Sequence, residues 1–326
     1  MAVVLTDRRF FSEEMAGKFR QINKELLVRP CKTQAELVRN VCEAEAIMTT
    51  STPFSQRVIN KLENCRVIVR CGIGVDTIDL AAATKKHIYV ANTPGFYANE
   101  VADHAIALLL ALSRKICLLN QLVRKGRYDF SRIQPVYRVD EKTVGLIGFG
   151  SIGRAIFEKM KGFHVQGLAY DPYVSGDSLT YSDLEMVELD QLLLESDFVS
   201  VCCPLTSETR GLLGEEQFKM MKRTAFVINT ARGGIIDETA LAKALCNGWI
   251  AGAGLDVLLD EPARKSNPLL ESENVVVTPH VAWYSEESLR SMSREAAEEI
   301  CRVFSGELPR NLVNRELGKI TESNNT

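Results

Sequence analysis

Residues 143–171 read TVGLIGFGSIGRAIFEKMKGFHVQGLAYD. A strand-like run, Thr143–Ile147, leads straight into Gly148-Phe149-Gly150-Ser151-Ile152-Gly153. A helix-length amphipathic segment, Ile152–Met160, follows, and then a second apolar run, Val165–Tyr170. G-x-G-x-x-G between a strand and a helix is the context of a dinucleotide-binding turn. Gly148 permits the tight turn, Gly150 lets a pyrophosphate approach, and Gly153 lets helix and strand pack. The helix start, at Ser151 and Ile152, offers backbone N–H groups to phosphates. Asp171 ends the second run. A carboxylate there suits the ribose hydroxyls of adenosine and repels a 2′-phosphate. The next residues, Pro172-Tyr173-Val174-Ser175-Gly176-Asp177, include no Arg or Lys to hold that phosphate. The predicted cofactor is NAD rather than NADP.

The same alternation extends in both directions. Upstream, Val3–Leu5, Ala46–Met48, Val67–Val69 and Ile88–Val90 read as strands. Glu13–Gln21, Ala35–Val41, Ser55–Leu62 and Leu80–Lys85 read as helices. A long helix runs from an N-cap at Asn99 to about Arg114, and Gly126–Glu141 reads as a loop. Downstream, Phe198–Val201, Ala225–Ile228, Ala251–Leu255 and Val275–Val277 read as strands. Gln191–Leu194, Glu215–Met220, Glu238–Cys246 and Ser285–Phe304 read as helices. Such alternation predicts parallel sheets covered on both faces. The fold class is α/β: two doubly wound parallel-sheet domains, one inserted in the other. Residues 1–98 plus 289–326 form the substrate domain and residues 99–288 the dinucleotide-binding domain. A small ligand is expected in the cleft between two such domains. The polar tail, 316–326, is expected to fray.

The chain has 326 residues, 46% apolar and 25% charged, with a net charge of −3. This is ordinary globular usage. It excludes long disorder and gives no electrostatic footprint for nucleic acid. Nine scattered cysteines, none spaced C-x-x-C, read as reduced thiols of a cytoplasmic protein. The four histidines, His87, His104, His164 and His280, lack metal-ligand spacing, so no metal is expected. The N-terminal apolar run is too short for a signal sequence. The longest apolar run, Ala105–Leu112, is far below the ~20 residues that span a bilayer, so no membrane partner is predicted.

Three further motifs end successive strands, where ligands of open α/β sheets bind. They are Asn229-Thr230-Ala231-Arg232-Gly233-Gly234; Gly254-Leu255-Asp256-Val257 with Asp260-Glu261-Pro262; and Thr278-Pro279-His280-Val281-Ala282-Trp283. The planar fork of Arg232 suits a carboxylate. His280 suits proton exchange with a substrate oxygen. Glu261 is the candidate acid beside it, to orient the ring and stabilise imidazolium.

In order and spacing these motifs resemble the NAD-dependent D-2-hydroxyacid dehydrogenases over about residues 45–310. The resemblance implies that Arg232, Glu261 and His280 are catalytic. It implies that Thr230 and Asp256 lie at the nicotinamide, that Ala231 also binds the cofactor, and that Cys203, Pro204 and Thr209 lie on the adenosine side. The loop Arg70-Cys71-Gly72-Ile73-Gly74-Val75-Asp76 resembles the family's carboxylate-binding loop, with backbone N–H groups near Gly72, Ile73 and Gly74. A homodimer, a D-hydroxy product, a flavodoxin-like substrate domain and a Rossmann cofactor domain are implied in the same way. Pro279–Glu286 resembles the segment of C-terminal-binding proteins and their bacterial dehydrogenase relatives. Formate dehydrogenases place Gln where Glu261 stands, which disfavours them.

The expected reaction is hydride transfer between NAD(H) and a small 2-hydroxy or 2-keto acid. The alternatives are an NAD-sensing corepressor-like binding protein and D-3-phosphoglycerate dehydrogenase. The chain ends about twenty residues after its last helix, without the regulatory domain many phosphoglycerate dehydrogenases carry or a scaffold's long tail, so the first reading is preferred. Arg70 is the candidate cation for a distal phosphate, and Trp283 is expected to add aromatic surface at the substrate.

Overall fold

A computed structural model describes residues 2–31, 33–94, 97–174 and 181–318. Its contacts divide the chain into two compact units, residues 1–97 with 285–326 and residues 98–284.

The first unit contains β1 (Ala2–Leu5), β2 (Glu25–Val28), β3 (Ala46–Thr49), β4 (Val67–Arg70) and β5 (Tyr89–Asn92), in the sheet order β2-β1-β3-β4-β5. All neighbours are parallel. Val4, Ile47, Ile68 and Val90 face one core with Leu37, Val41 and Val58. Helices Glu13–Gln21 and Glu286–Phe304 pack together, and the latter lies against β4. Side-chain N-caps set the helix starts: Ser12, Thr33, Asp79 and Ser285 each accept a first-turn N–H. After the last helix the chain returns to β5, where Val313 N–H donates to Val90 O at 2.8 Å.

The second unit contains β6 (Thr143–Ile147), β7 (Gln166–Tyr170), β8 (Leu184–Met186), β9 (Phe198–Val201), β10 (Phe226–Asn229), β11 (Gly252–Leu255) and β12 (Val275–Val277). The order is β12-β11-β10-β9-β6-β7-β8, all parallel. Two apolar cores lie on its two faces. The strand order reverses at β6, which pairs with both β7 and β9. The glycine turn leaves the carboxyl end of that strand, the switch point where such sheets bind ligands. The fold class is therefore the expected one.

Five local features differ from the expectations. β2 and β8 were not anticipated: both are short sheet edges, with no fully buried residue in β2 and one in β8, so neither makes a continuous apolar run. The helix Ile116–Arg124 was also missed. Lys115, at φ 54°, breaks the preceding helix, and the new one leaves Ile116 and Val123 exposed. Asn99 lies inside the helix Ala98–Ser113 rather than capping it. Part of the tail is ordered, since Leu317 is buried; residues 319–326, like Ser175–Asp177 after Asp171, lie outside the described residues. Among the described residues no single helix is long and apolar enough to cross a membrane.

Candidate active site

The second unit holds the glycine turn. Gly148 has φ 95°, and a Cβ there would lie 2.7 Å from Cys203 N. Only glycine meets both demands. A Cβ on Gly153 would lie 2.4 Å from Gly148 O, whereas nothing stands within 4 Å of Gly150. The helix Ser151–Met160 begins without a side-chain cap, leaving its first N–H groups to an anion. Asp171 braces this turn: its Oδ2 accepts Phe149 N–H at 2.8 Å and its Oδ1 accepts Tyr173 N–H at 2.9 Å. Each oxygen retains a lone pair for a ribose hydroxyl. Thr209 latches the loop after β9, its hydroxyl donating to Pro204 O at 2.6 Å. Burial pushes the Cys203 thiol up to about 11, so it stays a neutral lining group. The Thr230 hydroxyl is buried without a hydrogen-bond partner, an acceptor or donor left for a polar ligand.

Three loops follow β10, β11 and β12. Asn229, 1% exposed, staples the first: its Oδ1 accepts Ala231 N–H at 3.0 Å and its Nδ2 donates to Arg232 O at 2.9 Å. Arg232 Nη1 donates to Ala231 O at 2.7 Å. On the second and third loops, Glu261 Oε2 lies 2.7 Å from His280 Nδ1. Glu261 Oε1 accepts Leu258 N–H at 3.1 Å. Burial pulls the Glu261 carboxyl upward. The hydrogen bond and charge of His280, with Leu258 N–H and the Arg232 charge, outweigh it and hold the carboxyl below its ordinary range. Glu261 is thus a carboxylate at neutral pH, turned to Nδ1, and Nε2 is the ring nitrogen it leaves for proton exchange.

Asp256 directly follows β11. Its side chain is 1% exposed and faces the His280 loop rather than open space. Oδ1 accepts Val281 N–H at 2.9 Å and the Thr278 hydroxyl at 2.6 Å; Oδ2 accepts Ala282 N–H at 2.8 Å. Trp283 Nε1 donates to His280 O at 3.1 Å, so the indole also anchors the histidine's backbone.

The remaining predicted residues belong to the first unit, in the loop after β4. The Gly72 N–H is already committed, donating to Thr93 Oγ1 at 2.7 Å. Asn92 Nδ2 donates to Ile73 O at 2.8 Å. The loop's candidate anion donors are therefore Ile73 N–H and Gly74 N–H. Arg70 folds over its own loop, Nη1 donating to Cys71 O at 2.8 Å. It occupies the space where a Gly72 Cβ would stand, and Gly72 has φ 134°. Asn92 and Thr93 were missed by the sequence reading, although their place at the carboxyl end of β5 is the same strand-end signal. Among the described residues no group of His, Cys, Asp or Glu is placed to hold a metal ion.

The family profile described as "D-isomer specific 2-hydroxyacid dehydrogenase, NAD binding domain" matches residues 106–282. The chain is 41% identical to a glyoxylate reductase of Korarchaeum cryptofilum, over 87% of each chain. It is 40% identical to a D-3-phosphoglycerate dehydrogenase of Archaeoglobus fulgidus, over 93% of this chain but 58% of that one. Among solved structures, the apo D-lactate dehydrogenase of Escherichia coli superposes with a TM-score of 0.83 at 29% identity, covering 96% of this chain and 99% of that one.

Proposed function

We propose a substrate and a set of residue roles from one premise: the chain belongs to the D-isomer specific 2-hydroxyacid dehydrogenase family. Its reaction is hydride transfer between NAD(H) and a small 2-hydroxy or 2-keto acid. The substrate class proposed is the small unphosphorylated 2-keto acids, glyoxylate first. The glyoxylate reductase relative supports this. So does Arg70, whose guanidinium is turned onto Cys71 O when a distal phosphate would need it.

NADH, held at the glycine turn, supplies the hydride. The residues assigned to it are Gly148, Gly150, Ser151, Ile152 and Gly153 for the pyrophosphate, Asp171 for the ribose, and Cys203, Pro204 and Thr209 for the adenosine side. Thr230 and Ala231 are assigned to the nicotinamide end. The uncapped helix start and the orphaned Thr230 hydroxyl support the assignment. Asp256 is assigned to the His280 loop as well as to that end.

Arg232 binds the substrate carboxylate and polarises the keto oxygen. His280, as imidazolium, donates its Nε2 proton to that oxygen. Glu261 accepts from Nδ1 and balances the ring's charge. Ile73 and Gly74 keep their assignment to the substrate carboxylate on the family resemblance alone. The single observation that carries this reading is the 2.7 Å pairing of His280 with Glu261. The finer kinship, to C-terminal-binding proteins, is supported by Trp283 and Tyr284 after His280. A homodimer in the cytoplasm completes the reading. The nine free thiols support the compartment.

The test is His280→Ala. Keto-acid reduction should fall by roughly 10²–10⁴ while NADH binding is kept. Turnover near that of the unchanged protein would overturn the assignment. Loss of binding to a corepressor-type protein partner, with no turnover in either form, would favour the binding-protein reading.

A further inference from the structure

The helix Ala98–Ser113 packs against β10, β11 and β12 and carries a histidine to which the reaction assigns no role. His104 is 23% exposed, and its Nε2 lies 2.9 Å from Thr278 Oγ1 and 3.6 Å from Asp256 Oδ1. Thr278 Oγ1 is in turn 2.6 Å from Asp256 Oδ1. A carboxylate only accepts, so the single hydroxyl proton of Thr278 points at Asp256. The Thr278 oxygen can then only accept from His104, which requires the proton to sit on Nε2. Every donor in the row therefore points one way, from His104 to Thr278 to Asp256.

The far end of the row is the backbone of His280. Asp256 takes Val281 N–H and Ala282 N–H on its carboxylate, and its carbonyl takes His280 N–H at 2.8 Å. His280 has φ 53°. A residue with a Cβ is strained in left-handed backbone, and keeps it only where its surroundings over-determine it. Asp256 supplies that constraint from one side. Thr278 and His104 set the direction of the Asp256 carboxylate from the other.

We propose that His104 is a positioning residue of this reaction: acting through Thr278 and Asp256, it holds the backbone that presents His280. The inference rests on the reading of His280 as proton donor. What the row needs from His104 is a donor, not a charge. Without it the Thr278 hydroxyl turns toward other partners, Asp256 gains freedom, and His280 relaxes toward ordinary backbone. A displacement of about 1 Å at a reacting group can cost as much as ~10²-fold in rate.

The experiment compares His104→Leu, His104→Gln, Thr278→Val and the double variant His104→Leu/Thr278→Val, with His280→Ala alongside. The readouts are kcat and KM with glyoxylate, NADH affinity by fluorescence, and thermal unfolding. His104→Leu should lower kcat about tenfold, leaving KM and NADH affinity within about twofold. His104→Gln retains a donor and should recover most of the loss. Thr278→Val, an isosteric change, should lower kcat like His104→Leu, and carries the test if that variant does not fold. The double variant should be no worse than the worse single one, because both cut the same row. A normal kcat in His104→Leu with an inactive His280→Ala overturns the inference alone. Multiplicative losses, or losses confined to stability or NADH affinity, overturn it too. Persisting turnover in His280→Ala overturns the reading beneath it as well.

Discussion

His280 Nδ1 and Glu261 Oε2 lie 2.7 Å apart, on the loops that follow β12 and β11. Glu261 is held ionised by that contact, so the pair is an imidazole with a permanent counter-charge. On the roles proposed above, reduction takes its proton from this ring. Glu261→Gln keeps the shape and an acceptor but removes the charge, so imidazolium is less favoured. The kcat/KM for reduction should therefore fall at neutral pH while NADH affinity is kept. An unchanged kcat/KM would mean that Glu261 only orients the ring.

Arg232→Lys retains a cation and loses the planar fork. Arg232 Nη1 also donates to Ala231 O at 2.7 Å, so the native guanidinium is fixed in direction as a lysine ammonium is not. A charge-assisted hydrogen bond contributes about 1.5–3 kcal/mol. Keto-acid KM should therefore rise and kcat fall, together by on the order of tenfold or more in kcat/KM. Steady-state kinetics with both constants unchanged would place the carboxylate elsewhere.

Asp171 does two things at once. It braces Phe149 N–H and Tyr173 N–H, and its charge opposes a 2′-phosphate. The unmodified protein should prefer NADH clearly. Asp171→Asn keeps part of the brace and removes the charge, so it should narrow the preference with modest loss of NADH affinity. Asp171→Ala should lose NADH affinity further, because the glycine turn also loosens. Fluorescence titration with both cofactors separates these cases; equal affinities for NADH and NADPH in the unmodified protein would sink the argument.

The central strands were legible because both faces of a parallel sheet are covered, which makes β6, β9 and β10 almost wholly buried and mostly apolar. The glycine turn was legible because its demands are local. The edge strands β2 and β8 were not, since an edge needs few buried residues. Nor was the direction of Asp256. Its motif, Gly254-Leu255-Asp256-Val257, says only that an acid ends a strand; the N–H groups it accepts lie 25 and 26 residues further on. The commitment of Gly72 N–H to Thr93 hides for the same reason, 21 residues away.

A different acid governs stability. Burial, with the Glu299 and Glu298 charges, pushes the Glu295 carboxyl up to about 7 against the hydrogen bond from Asn311. Its ordinary value is 4.5, so the folded protein holds this proton more tightly than the unfolded chain. Below pH 4.5 the group is protonated in both states and costs nothing. Stability then falls as pH rises to about 7 and is level above it. Glu295→Gln should remove that loss, raising stability at pH 8 by about 1 kcal/mol once solvent screening is allowed for. Unfolding midpoints at pH 5 and pH 8 test it. An equal pH dependence in both proteins would show that Glu295 ionises freely.

Trp283 decides between two accounts of substrate size. Its ring meets Tyr284 edge-on, centroids 5.5 Å apart at 90°, while its Nε1 holds His280 O at 3.1 Å. If the ring only lined the substrate, its loss would hurt larger apolar keto acids and spare glyoxylate. The hydrogen bond adds a second effect that no substrate escapes. Trp283→Phe keeps an aromatic face and loses the N–H, so it should lower kcat for glyoxylate and for bulkier keto acids alike. The loss should be roughly the 3- to 10-fold of one hydrogen bond. Trp283→Ala should add a rise in KM for the larger apolar acids alone. In the unmodified protein, glyoxylate and hydroxypyruvate should exceed phosphohydroxypyruvate in kcat/KM, because Arg70 is committed to Cys71 O. A preference for the phosphorylated acid would require Arg70 to leave that bond, and would return the chain to the phosphoglycerate dehydrogenase reading.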